Sequence, residues 1–170
     1  KNLFSFKSFD TKNIIFEKTD FNLKKKDLVF FNNLLDIQPS NNRIIFKNSN
    51  IFFRDDNDEI LFINKINNSK LYYDAKNLKN VFTSRNEVFN VPYKIVIQND
   101  KFRKLFTSEF SSKKIRLNLE NKIDYTDLKK KTGIFEILFV NKNTSLDYTI
   151  NENNLVFNSK DNKNKFKGFF

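Results

Sequence analysis

Phe89-Asn90-Val91-Pro92-Tyr93-Lys94-Ile95-Val96-Ile97 is the stretch with the clearest structural signal in the chain. Its odd positions are all apolar, and its even positions hold Asn, Pro, Lys and Val. An apolar residue at every second position predicts an extended strand with one apolar face and one mostly wet face. Pro92 excludes a helix interior, and because proline has no N–H to donate, it favours an edge or an interrupted pairing at that point.

The same alternation returns further along the chain. Ile115, Leu117 and Leu119 alternate with polar or charged neighbours, and the same parity continues through Ile123 and Tyr125. A shorter run at residues 102–110 lies between the two long ones. We expect these three strands to form the centre of the fold.

Short apolar runs separated by polar, Asn-rich segments fill most of the chain. This spacing predicts antiparallel hairpins that follow one another as a meander, and the first two runs are predicted to pair as a hairpin. The chain has two Gly, so Asn is expected to supply the residues with positive φ in the turns. The predicted strands are residues 14–16, 21–23, 44–46, 51–53, 60–63, 70–73, 81–83, 89–97, 102–110, 115–125, 134–140, 146–150 and 155–157.

One short helix is predicted at about residues 27–36. Asp27 is suited to cap its N-terminus, and one helical face is apolar, with Leu28, Phe31, Leu34 and Leu35. Pro39 follows and ends the pattern. The predicted fold is therefore mostly β: an antiparallel meander of successive hairpins forming a curled, open or groove-like sheet, with at most this one helix.

The sequence does not decide whether the sheet closes on itself. Barrels and sandwiches usually carry Gly at corners and bulges, and this chain is poor in Gly, which favours an open sheet. An open apolar face must be covered by a helix, a neighbouring repeat or a lipid. An ordinary closed core is the alternative explanation of the same apolar residues.

Composition narrows the function classes. The 170 residues carry a net charge of +11 and include neither His nor Cys. The positive charge suits nucleic acid or a membrane surface, although a solvated Lys-rich surface explains it equally well. Without His or Cys there is no Ser-His-Asp triad, no Cys nucleophile and no His-ligated metal, so we predict a protein that is not an enzyme and has no cofactor.

The acidic segment Asp55 to Glu59 superficially resembles a calcium loop. An EF-hand needs Gly at its sixth position and Glu at its twelfth, and counted from Asp55 these positions hold Ile60 and Ile66. We therefore predict a solvated hairpin turn and no metal site.

The segment from Arg43 to Asp55 resembles the recurring phrase of AsmA-like proteins, including relatives of TamB. The phrase is a strand, a turn of the Asn or Gly type, an "x-I-x-F-x-D" strand and an acidic turn. The strand at Phe89 to Ile97 is similar to the family's "f-x-v-P-f-x-l" type. The likeness covers roughly residues 43–157 and is one of rhythm, and the chain departs from it where Asn stands in turns that usually hold Gly.

The resemblance implies one segment, residues 1–170, of a longer repeat-like periplasmic protein anchored in the inner membrane by a part outside this chain. Residues 1–42 would be its less regular beginning and residues 43–157 its β-repeat part. Such proteins provide a hydrophobic groove for phospholipid transfer or contribute to outer-membrane assembly and homeostasis. The implied partners are phospholipid acyl chains and outer-membrane assembly proteins, with no nucleic acid.

Two groups of residues are candidates for lipid contact. Lysines in two basic runs are candidates for headgroup contact, although exposed charge in turns would explain them too; they are Lys24, Lys25, Lys26, Lys129, Lys130 and Lys131. The candidate groove wall consists of apolar strand residues: Phe89, Val91, Tyr93, Ile95, Ile97, Ile115, Leu117, Leu119, Ile123, Tyr125, Leu146, Tyr148 and Ile150.

A basic RNA-binding protein of ribosomal type, from an AT-rich organelle or bacterium, is the alternative function. It would need exposed Phe side chains interleaved with Lys for stacking on bases. The alternation predicts that most Phe point inward, which favours the lipid-binding hypothesis.

Overall fold

The computed structural model describes residues 13–27, 43–152, 154–159 and 165–169. These form strands and one short 3-10 turn, Lys25–Asp27. The strands are β1 (Asn13–Glu17), β2 (Asp20–Leu23), β3 (Arg43–Arg54), β4 (Ile60–Asp74), β5 (Lys79–Val88), β6 (Val91–Asp100), β7 (Leu105–Ser112), β8 (Leu117–Asp124), β9 (Lys130–Phe139), β10 (Lys142–Asn151), β11 (Asn154–Ser159) and β12 (Lys165–Phe169).

All described strands belong to one sheet. From β3 to β12 each strand pairs antiparallel with the next in sequence, whereas β1 and β2 both pair parallel with β3. The predicted mostly β antiparallel meander is confirmed. Among the forms that the sequence left open, the described strands take the open one, and the sheet is uncurled.

The first two strands correct a prediction. They do not form a hairpin with each other, because each lies along a successive part of β3: Phe16 is in register with Phe46, and Phe21 with Ile51. Between them Lys18 has a φ of 53°, so the chain steps past an irregularity and continues in the same direction.

That irregularity continues into β3 and β4. Asn48 has a φ of 47°, and the pairing of β4 with β5 shifts by one residue at Asn67. The sequence predicted turns at both places, because Asn-rich polar segments are typical of turns. Each is instead an irregularity inside a long strand, and the one at Asn67 has the register shift of a bulge. The runs 44–46 and 51–53 therefore belong to one strand, as do 60–63 and 70–73.

The turns place several bulky residues at positive φ. Phe89 and Asn90 have φ values of 48° and 61°, and Val140 and Asn141 have values of 45° and 68°. Positive φ at both central residues is the requirement of a two-residue type I′ hairpin turn, which has the twist that suits the flanking strands. Asn therefore fills only part of the role predicted for it, and Leu78, Lys104 and Arg116 also have positive φ.

The central strand begins later than predicted. Phe89 lies in the turn, so β6 begins at Val91, and its pairing with β7 begins at Lys94. Pro92 is thus paired on one side only, which confirms the predicted interruption. The predicted helix at 27–36 falls mainly on residues outside the described ranges; Asp27 itself ends the 3-10 turn.

Candidate functional site: the uncharged face of the sheet

Register assigns every paired residue to one of two faces. Residues directly opposite each other in a ladder point to the same side, and alternate residues of a strand point to opposite sides. Tyr93 is opposite Asn86 of β5, and Ile95 is opposite Phe110 of β7. Following these pairs through the sheet separates two faces of different chemistry.

The face that carries Tyr93 has no Asp, Glu, Lys or Arg in β3 to β8, and we call it the uncharged face. On β9 and β10 it carries Lys131 and Lys142, both at strand starts. Its members on β3 to β8 are Ile44, Phe46, Ser49, Ile51, Phe53, Phe62, Asn64, Ile66, Ser69, Leu71, Tyr73, Asn80, Phe82, Ser84, Asn86, Val88, Val91, Tyr93, Ile95, Ile97, Asn99, Phe106, Ser108, Phe110, Ser112, Leu117, Leu119, Asn121 and Ile123.

The opposite face, which we call the charged face, alternates ionic and apolar groups. Lys65 Nζ lies 3.1 Å from Glu87 Oε1 across the β4–β5 ladder. Its other charged members include Lys70, Arg85, Lys94, Glu109, Glu120, Lys122, Glu136 and Asp147. A face with this many charges is suited to water, so the two faces call for different environments.

Three tyrosines on the uncharged side join every second strand. The Tyr93 hydroxyl on β6 donates to Asn64 Oδ1 on β4 at 2.9 Å, and the Tyr148 hydroxyl on β10 donates to Asn121 Oδ1 on β8 at 2.6 Å. Tyr125, directly after β8, donates to Asn99 Oδ1 on β6 at 2.6 Å. Each ring therefore lies across the strand between donor and acceptor.

Three serines of this face also donate hydrogen bonds within the sheet. Ser84 Oγ donates to Asn86 Oδ1 at 2.7 Å, and Ser112 Oγ donates to the Pro92 carbonyl at 2.7 Å. Ser49 Oγ donates to the Lys47 carbonyl at 2.8 Å. These serines are almost fully buried, so their hydroxyls are not available to a binding partner.

Burial changes the acidity of two of the tyrosines. Desolvation raises the pKa of Tyr148, and the hydrogen bond to Asn121 opposes this only in part. Desolvation likewise raises the pKa of Tyr93, with a smaller opposing effect from the Asn86 side chain. Both hydroxyls therefore stay protonated donors at neutral pH.

Most of the candidate groove wall lies together on the uncharged face. The residues there are Val91, Tyr93, Ile95, Ile97, Leu117, Leu119, Ile123, Leu146, Tyr148 and Ile150. Phe89 and Ile115 do not join them, because both lie in hairpin turns and are 77% and 40% exposed. Tyr125 lies beyond the end of β8, and its hydroxyl reaches the face at Asn99.

The two lysine runs lie at opposite ends of the strands. Lys24 Nζ pairs with Asp58 Oδ1 at 2.6 Å, which places the first run beside the β3–β4 turn. Residues 129–131 lie at the β8–β9 connection, at the other end of the strands. The structure therefore does not bring the two runs into one headgroup site.

The acidic segment at residues 55–59 is a turn held by its own side chains. Asp55 Oδ1 accepts from the backbone N–H groups of Asn57 and Glu59 at 2.9 and 2.8 Å. Within the described ranges, no three His, Cys, Asp or Glu residues are placed to hold a metal ion. In the part of the chain that the structure describes, no helix is long and apolar enough to span a membrane.

No protein-family model, curated protein or solved structure matches this chain. The resemblance to AsmA-like proteins therefore stays a prediction.

Sequence reasoning missed the tyrosine–asparagine pairs. Their donors and acceptors are separated by 29, 26 and 27 positions, which is the length of about one hairpin. The one signal in the sequence that could have revealed these pairs is that an Asn recurs 26 to 29 positions before each Tyr. It also missed the uncharged Ser and Asn residues of the face, which alternation alone does not distinguish from turn residues.

Proposed function

We propose that this chain is a non-enzymatic lipid-binding sheet, whose uncharged face holds phospholipid acyl chains. The observation that carries the proposal is the absence of charge on this face from β3 to β8, together with the absence of any covering helix among the described residues. A wide apolar sheet face is stable in water only when something apolar covers it.

The hydrogen bonding of the face favours acyl chains over a protein surface as the cover. Protein interfaces usually exchange hydrogen bonds with the partner. Here the hydroxyls of Tyr93, Ser84 and Tyr148 are already used within the sheet. A hydrocarbon chain makes no such demand, and each apolar side chain that it covers contributes roughly 1.5 to 3 kcal/mol.

The net charge of +11 also suits phospholipid, because many phospholipids carry anionic headgroups. We propose that the chain is a segment of a periplasmic AsmA/TamB-like protein that serves lipid transfer or outer-membrane assembly. Another part of that protein would anchor it in the inner membrane. The RNA-binding alternative predicts retention on heparin with a steep salt dependence and RNA in the purified protein.

The test is lipid extraction from the purified chain, followed by titration with a fluorescent fatty-acid probe. Ile95→Glu places a charge in the middle of the uncharged face, and we expect it to abolish probe uptake. Val96→Lys is the control, because Val96 is the next residue of β6, is also half-buried and belongs to the charged face, where the new charge would lie opposite Glu109. Circular dichroism of both variants checks that the sheet is intact.

Three results would overturn the proposal. The first is wild-type protein without phospholipid and without probe uptake. The second is equal uptake by the Ile95→Glu variant and its control. The third is a dimer that the Ile95→Glu change dissociates while probe uptake persists, since the face would then be an interface between two copies.

A further inference from the structure

Three consecutive loops at one end of the sheet share an arrangement that the acyl-binding proposal does not use. They are residues 75–78, 101–104 and 125–129, which we call the lower loop row. Each carries one large apolar side chain exposed to solvent: Leu78 at 45%, Phe102 at 78% and Leu128 at 73%. Exposed apolar groups that recur along one edge indicate an interaction surface.

The three loops begin at the same level of the sheet. Asp74, the last residue of β4, is opposite Lys79, and the next residue of β5, Asn80, is opposite Asn99 of β6. Asp100 and Asp124, the last residues of β6 and β8, are both opposite Leu105. The loops are two strands apart, so neighbouring tips are spaced by roughly 10 Å along a line. One flat partner can therefore contact all three tips at once.

The charge of the lower loop row is positive. The basic residues in and beside the loops are Lys76, Lys79, Lys101, Arg103, Lys104, Lys129, Lys130 and Lys131. Four carboxylates lie among them, on Asp74, Asp100, Asp124 and Asp127, so the basic residues outnumber the acidic ones by eight to four. Each of the four accepts a hydrogen bond from a backbone N–H of its own loop. The row therefore combines a cationic field with apolar tips.

We propose that the lower loop row docks on an anionic phospholipid bilayer, with the three tips inserted at the headgroup level. Apolar side chains flanked by Lys and Arg are the signature of interfacial binding, where burial and attraction to anionic lipid add together. Two of the three tips are Leu, which has no aromatic face to stack on a base. Insertion into a bilayer accounts for all three tips, whereas base stacking accounts for Phe102 alone.

Co-sedimentation with vesicles tests this on the whole chain. We expect binding to phosphatidylcholine mixed with phosphatidylglycerol, weak binding to phosphatidylcholine alone, and loss of binding at high salt. Phe102→Ser should weaken binding by about tenfold or more, because the apolar tip is lost. Phe89→Ser is the matched control: Phe89 is equally exposed, at 77%, but lies in a turn at the opposite end of the sheet.

A second pair of variants tests the charge. Lys129→Gln with Lys130→Gln should weaken binding by about fivefold per lysine, whereas Lys25→Gln with Lys26→Gln, an exposed pair at the other end, should leave it unchanged. The proposal is overturned if anionic vesicles do not bind, if the two Phe variants lose binding equally, or if RNA binds and vesicles do not. Acyl-probe uptake is a separate measurement, so either proposal can fail alone.

Discussion

Tyr148 lies directly opposite Gly133 in the β9–β10 ladder, and its ring occupies the space that a side chain at position 133 would need. A Cβ built at Gly133 would meet the Cζ, Oη and Cε1 atoms of Tyr148, the last at 2.7 Å. The glycine thus lets the ring pass over β9 so that the hydroxyl reaches Asn121 on β8 at 2.6 Å. Covering a strand glycine with an aromatic ring is a known way to stabilise a sheet.

Gly133→Ala is therefore expected to destabilise the sheet. The added Cβ must displace the buried Tyr148 ring and break its hydrogen bond, at a cost of about 1 to 3 kcal/mol in the free energy of unfolding. Urea denaturation of the two proteins measures this.

A double-mutant cycle supplies the control. In a Tyr148→Ala background the ring is gone, so the same Gly133→Ala change should cost little or raise stability through its lower backbone entropy. An equal cost in both backgrounds would contradict the steric explanation.

Ser69 and Ser84 face each other across the β4–β5 ladder and differ in hydrogen bonding. Ser84 Oγ donates to Asn86, whereas Ser69 Oγ is buried with no hydrogen-bond partner. Ser69→Ala should therefore leave stability unchanged or raise it, and Ser84→Ala should lower it by about 1 kcal/mol. Thermal unfolding of the two variants checks the order, and a larger loss for Ser69→Ala would contradict it.

The alternation in the sequence predicted one apolar face because side-chain direction in a strand depends only on parity. Ile95, Ile97 and Leu119 were assigned correctly for that reason. Parity predicts the face of a residue only within a continuous strand. Phe89 and Ile115 lie in turns, so the prediction failed for them.

The turns and bulges were harder to predict, because this chain places bulky residues where Gly usually stands. The residue types at Phe89 and Val140 do not predict a positive φ, although both residues adopt one. Conversely, Asn48 and Asn67 indicated turns but are local irregularities within long strands, and pairing with neighbouring strands resumes on both sides of each. Long-range pairing thus overrides local preference at these positions.

Two carboxylates at the lower loop row are expected to add acid-sensitive stability. A hydrogen bond from the Asn77 side chain lowers the pKa of Asp74, and hydrogen bonds from Thr126 lower the pKa of Asp124. Since each folded-state pKa lies below the unfolded value, this stability is fully present above about pH 4 and is lost as pH falls through the folded values.

Asp74→Asn combined with Asp124→Asn keeps side-chain oxygen acceptors but removes the titration. Urea unfolding from neutral pH to about pH 2 should show a flatter acid limb in this variant than in the wild type. Identical pH profiles would show that these two groups do not contribute.

Three glutamates form a row of like charge on the charged face. Glu120 on β8 is directly opposite Glu109 on β7 and Glu136 on β9. Like charges opposite each other destabilise a sheet, so Glu120→Lys should raise the free energy of unfolding by about 0.5 to 1 kcal/mol. The gain should shrink at high salt, because solvent reaches these glutamates, of which Glu109 is exposed and Glu120 and Glu136 are half-buried, and salt screens their repulsion.

Glu87→Gln tests an attractive pair on the same face, since it removes the ion pair between Glu87 Oε1 and Lys65 Nζ at 3.1 Å. It should lower stability by a few tenths of a kcal/mol. If Glu120→Lys also lowered stability, repulsion within the glutamate row would not be the governing effect.

Val140 is a β-branched residue at a φ of 45°, in the two-residue turn between β9 and β10. Left-handed backbone costs an L-residue with a branched Cβ roughly 1 to 2 kcal/mol, whereas Asn tolerates it and is favoured in type I′ turns. Val140 is 44% exposed, so replacing it sacrifices little burial. We therefore expect Val140→Asn to raise the free energy of unfolding by about 1 kcal/mol, as measured by urea denaturation. Lys142→Asn, an exposed change in the adjoining strand, should bring no such gain. Equal effects of the two changes would mean that turn strain at Val140 does not limit stability.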